Sequence, residues 1–94
     1  MGPYFGFAMP HYITKTWADA MSIIYYLKGI LVTRGIVTIA DYNKVTGQES
    51  VQEDYYYGWD NLDSARVGDL GHGFAVILPP INVTTNYIEQ KENN

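Results

Sequence analysis

A helix-start signal that occurs twice constrains this chain more than any other feature. Thr16 stands three residues before Asp19, and Thr38 stands three residues before Asp41. In each case the threonine hydroxyl can cap a free backbone N–H of the first turn, and the aspartate faces the positive helix end. Each start has a stop: Arg34-Gly35 follows the first, and Gly47 follows the second. Glycine adopts the left-handed conformation that ends a helix without a Cβ clash. Between the first start and stop, Trp17, Ala20, Met21, Ile24, Leu27 and Leu31 recur at helical spacing, and Ile23, Tyr26 and Ile30 widen the face. The pattern predicts a helix over 17–34. Ile39, Tyr42 and Val45 predict a shorter one over 39–46, after a short extended link at Ile36-Val37. Gly29 lies inside the long helix, where glycine costs about 1 kcal/mol against alanine. It allows close backbone packing or marks a bend.

Helical spacing ends at Gly47. Residues 48–54 read as a polar, acidic loop. Tyr55-Tyr56-Tyr57 favours a strand and is ended by Gly58. Asn61-Leu62-Asp63-Ser64 is turn chemistry. Ala65 to Gly68 is a short strand, and Asp69 to Gly73 is a reversal containing two glycines. Phe74 to Leu78 is the strongest strand, with Phe74, Val76 and Leu78 on one face, and Pro79-Pro80 stops it. Ile81 to Thr85 is a further extended segment. The expected class is α+β, with one long and one short α-helix packed on a small antiparallel hairpin or sheet.

The 94 residues are enough for one domain. Its expected parts are an aromatic arm over 1–13, a core over 14–82 and a solvated tail over 89–94. The arm carries Tyr4, Phe5, Phe7, Met9, Tyr12 and Ile13 between Pro3 and Pro10. It is too apolar to stay free, so it packs on its own domain or on a neighbouring subunit.

Charged residues are 17% of the chain, below the usual share of about 25%. Tyrosine, glycine, threonine and asparagine must therefore fill much of the surface, which suits a protein partner or a second copy. The net charge of −4, with six dispersed basic residues, argues against nucleic acid, which is held through Lys and Arg on phosphates. No cysteine is present, so disulfides and thiolate metal sites are excluded. The apolar stretch from Met21 to Val32 is too short to span a bilayer, and the N-terminus lacks a basic signal region. The expected address is cytoplasmic, with no membrane contact.

Catalytic patterns are absent. His11 and His72 are the only histidines. His72 lies between glycines in a turn, with Asp69 and Ser64 as its nearest conceivable partners, but no triad spacing supports a general base. No metal motif and no phosphate loop opening a helix is found, so no cofactor is expected. The segment from Tyr55 to Asp60 is the best site candidate. As a strand it would set Tyr55 and Tyr57 on one face and Tyr56 on the other, beside Glu53, Asp54 and Asp60. Such aromatics anchor protein interfaces or stack on a base. Trp59 also fits a core position over the helices and Leu78.

One pattern extends across these pieces. Gly35-Ile36-Val37-Thr38-Ile39-Ala40-Asp41 leads to Gly47, then Tyr57-Gly58-Trp59-Asp60-Asn61-Leu62-Asp63-Ser64-Ala65-Arg66-Val67, then Gly73-Phe74-Ala75-Val76-Ile77-Leu78-Pro79. In order and spacing, residues 20–82 resemble a small module found in bacteriophage and prophage proteins. The chain departs from it in its aromatic arm and in Gly71-His72-Gly73, where relatives carry a basic turn. The resemblance implies a small α+β phage module without an agreed catalytic activity, placed in the host cytoplasm or the virion.

Three functions are expected from these readings. The first is a non-catalytic accessory protein that binds a host or defence protein. The second is a virion or assembly component whose arm contacts another subunit in a homo-oligomer. The third is a binder of a nucleotide or similar small ligand. The expected interaction residues are Tyr55, Tyr56, Tyr57, Trp59, Asp54, Asp60, Phe5, Phe7 and His72.

Overall fold

The computed structural model describes residues 9–83. Both helix signals act as expected. Helix α1 spans Trp17–Arg34. The Thr16 hydroxyl accepts from the Asp19 N–H at 3.1 Å, and Gly35 closes the helix in the left-handed region at φ 84°. Helix α2 spans Ile39–Val45. At its start the Thr38 hydroxyl accepts from the Asp41 N–H, and the Asp41 carboxylate accepts from the Thr38 N–H at 2.9 Å. Arg34, from the last turn of α1, pairs with the same carboxylate and so ties the two helices together.

The strands form two three-stranded antiparallel sheets. Strands β1 (Tyr12–Thr14), β4 (Arg66–Asp69) and β5 (Phe74–Ile77) make the first, in the order β1-β5-β4. Strands β2 (Val37–Thr38), β3 (Tyr57–Trp59) and β6 (Asn82–Val83) make the second, in the order β2-β3-β6. Helix α1 packs on β1, β4 and β5 and also touches β2 and α2, so it spans both sheets. The α+β class and the antiparallel pairing therefore stand, but the hairpin gains a strand. Tyr12 and Ile13, expected in the arm, and Thr14, the first residue of the expected core, pair with Val76, Ala75 and Phe74. This part of the arm packs on its own domain. Phe5, Phe7 and the tail over 89–94 lie outside the described residues.

The triple-tyrosine segment departs from expectation. Gln52–Tyr55 is a 3₁₀ turn, Tyr56 follows in helical conformation, and the strand begins only at Tyr57. The reason is local: the Asp54 carboxylate accepts from the Val51 N–H at 3.0 Å and holds the turn closed. Tyr55 and Tyr56 thus never join the pleat, and the strand alternation expected for them does not apply.

Gly58 explains the center of β3. A Cβ there would overlap the Val37 carbonyl and come within 2.6 Å of the Thr38 Cα. Only glycine lets β2 and β3 close at this point. On either side of it Tyr57 and Trp59 are buried. The Trp59 ring meets Tyr42 edge-on at 6.3 Å, and its N–H donates to the Pro79 carbonyl at 2.7 Å. Ile24, Leu27, Val37, Leu62 and Val76 complete the center of the core. The inner face of α1 is narrower than expected. Ala20, Ile23, Ile24 and Leu27 are buried on it, whereas Trp17 and Tyr26 are exposed.

Candidate binding surface around Tyr55

Asn43 underlies the candidate site. It lies one turn after Ile39 on the buried side of α2, and its side chain is itself buried. Its amide donates to the Asp54 carboxylate at 3.0 Å, to the Ser50 hydroxyl at 3.0 Å and to the Glu49 carbonyl at 3.4 Å. The same carboxylate oxygen of Asp54 takes the Val51 N–H. The loop over 48–54 is therefore pinned to α2 by buried polar contacts. Buried groups satisfied in this way hold a loop in one conformation.

The pinned loop presents apolar surface. Val51 is 57% exposed and Tyr55 is 53% exposed, four residues apart across the 3₁₀ turn. Beside them a shallow depression is lined by Ala40, Asp41, Lys44, Gln48, Ser50 and Tyr55. The Asp41 carboxylate is already engaged by Thr38 and Arg34. Lys44 is exposed and brings a cationic group to a rim that also carries an aromatic ring. The combination suits an aromatic or apolar anchor with an acidic group next to it.

The residues expected in the site separate by burial. Tyr55 and Asp60 are exposed. Tyr56 is half-buried against the core, with its hydroxyl accepting from the Gln52 amide at 3.4 Å. Asp54, Tyr57 and Trp59 are buried, so they support the surface without forming part of it. Their burial follows from the carboxylate clamp and from β3 lying between β2 and β6. His72 is exposed in the turn between β4 and β5, on the other sheet. Asn43, Lys44, Gln48 and Ser50 lie outside the set of residues expected from the sequence. Asn43 could have been found, because a polar residue four after Ile39 falls on the buried face of a short helix.

Burial pushes the Tyr42 hydroxyl above its ordinary value of 10.0, and the nearby Tyr12 adds to this. Tyr42 therefore stays a neutral core phenol. Among the described residues no three His, Cys, Asp or Glu side chains gather as a metal site, and no helix is long and apolar enough to cross a membrane. No protein-family model, no curated protein and no solved structure matches the chain.

Proposed function

We propose that this chain is a non-catalytic binding module of the phage accessory kind, and that its Tyr55 surface docks a host or defence protein. One observation carries the reading: exposed Tyr55 and Val51 stand on a loop pinned from below by the buried Asn43–Asp54 pair. Exposed apolar side chains on a fixed backbone lose little entropy on binding, which is how interface anchors gain affinity. The resemblance of residues 20–82 to small phage modules supports the setting. The partner surface is apolar and carries an acidic group for Lys44.

The test is capture of partners from host lysate by the wild-type chain and by Tyr55→Ser, with His72→Ala as a control. The expected result is a partner retained by the wild type and the control and lost by Tyr55→Ser. Equal retention by all three sinks the reading.

A second reading has its own support. Lys44 and the Tyr55 ring share one depression, which is the chemistry of a base stacked beside a phosphate. A nucleotide panel in thermal-shift measurements separates the two. A ligand at 100 times its Kd stabilizes by about 2.7 kcal/mol, and no shift with any nucleotide discards this reading.

A further inference from the structure

Helix α1 is apolar on two sides. Its inner side is buried against the sheets. At about 100° per residue, Ala18, Met21, Tyr25, Lys28 and Val32 fall on one narrow stripe about a third of a turn round from it; Ala18, Tyr25 and Val32 are exposed, while Met21 and Lys28 are half-buried at its inner edge, where Met21 also packs on the core. Their steps of three and four residues are the seam spacing of paired helices. Trp17, at the edge of the stripe, is 55% exposed, Tyr25 is 63% exposed and Val32 is 85% exposed. Gly29 borders the same stripe, and a Cβ placed on it meets nothing within 4 Å. No packing among the described residues requires glycine at this position. Glycine weakens a helix interior, and its return is close approach by another backbone.

We propose that a second copy of this chain packs its own α1 antiparallel onto this stripe, about a two-fold axis at Tyr25. In that register Met21 covers Gly29 of the second copy, and Val32 covers Ala18. On either side of the axis, where Tyr25 meets Tyr25, large residues lie over small ones, and the pattern reads the same from either copy, as a two-fold interface requires. A parallel pairing would oppose Gly29 to Gly29 and Val32 to Val32 and leave the notch unfilled. Lys28 is the only charge on the stripe and falls opposite Ser22 of the second copy, so no like charges meet. Its ammonium reaches solvent at the rim. The area fits a weak dimer. Trp17, Tyr25 and Val32 leave on the order of 350 Å² uncovered. The rest of a helix about 27 Å long brings the face to about 600 Å². Standard interfaces bury about 800 Å² per partner, so the expected Kd is on the order of 10–100 µM.

Sedimentation velocity on the full chain, from about 5 to about 500 µM, tests this. The expected result is a shift from monomer to dimer across the range. Tyr25→Lys sets two ammonium groups at the axis and weakens the Kd roughly tenfold or more. Gly29→Leu fills the notch and weakens it likewise, yet raises the Tm of the dilute monomer because leucine is the better helix former. A chain that remains monomeric throughout overturns the proposal, and so does a dimer indifferent to both substitutions. The chain has no cysteine, so orientation can be read by oxidation. Tyr25→Cys should give a covalent dimer and Val32→Cys alone should not. The reverse outcome overturns the antiparallel register.

Discussion

The Asn43 amide reaches the Asp54 carboxylate at 3.0 Å across eleven residues of chain, with both side chains buried. This pair sets the position of Tyr55. Breaking it from one side strands the other group, and an unsatisfied buried polar group costs about 1–3 kcal/mol. Asn43→Ala and Asp54→Ala should each lower unfolding stability by that amount in urea titrations. Hydrogen exchange over residues 48–54 should accelerate in both. Unchanged protection there would mean that the loop is held by something else.

Two aromatic residues four positions apart should behave in opposite ways. Trp59 is buried, packs on Tyr42 and bonds to Pro79, so Trp59→Ala should cost about 3–5 kcal/mol. Tyr55 is half exposed, so Tyr55→Ala should stay within about 0.5 kcal/mol of wild type. Chemical denaturation of both variants checks the contrast. Equal losses would place Tyr55 in the core.

Two glycines make a second contrast. Gly58→Ala drives a Cβ into the Val37 carbonyl and should cost several kcal/mol, on the order of 3, or prevent folding. Gly29→Ala meets open space within the domain and should stabilize the dilute chain by about 0.4–1 kcal/mol. Thermal melts at low concentration read both. A destabilized Gly29→Ala chain would show that the helix needs glycine for its own backbone.

Tyr42 gives a pH dependence of definite sign. Burial, with Tyr12 assisting, holds its pKa above 10.0 in the folded chain, whereas in the unfolded chain it titrates near that value. Above about pH 10 the unfolded state has lost this proton and the folded state has not. The contribution of Tyr42 to stability is therefore complete below pH 10 and falls as pH rises beyond it. Tyr42→Phe removes this loss. Its stability relative to wild type should rise between about pH 9 and pH 11 in urea titrations. A difference that stays flat across that range rules the mechanism out.

The helices were legible because their signals are short-range. Thr16, Asp19 and Gly35 complete their contacts within a few residues, and so do Thr38 and Asp41. The strands were legible only in part. Phe74–Ile77 has a strand's composition, but Val37–Thr38 and Asn82–Val83 are too short to carry a period. Tyr55 was named from its chemistry alone. Its neighbors Lys44 and Ser50 were not, because nothing near them in sequence points toward it.

The sequence by itself determined where the helices start and stop, that Gly58 interrupts the aromatic run, and that the chain carries more apolar and aromatic residues than one core face needs. Tertiary structure alone decided which of those residues are covered. Tyr57 and Trp59 go inside because β3 is the middle strand of its sheet, and Tyr55 stays out because the Asp54 turn ends before the sheet begins. Trp17, Tyr25 and Val32 stay out because the sheets cover only one side of α1. Caps depend on neighbors in the chain, whereas burial depends on contacts between distant segments, which no local pattern encodes.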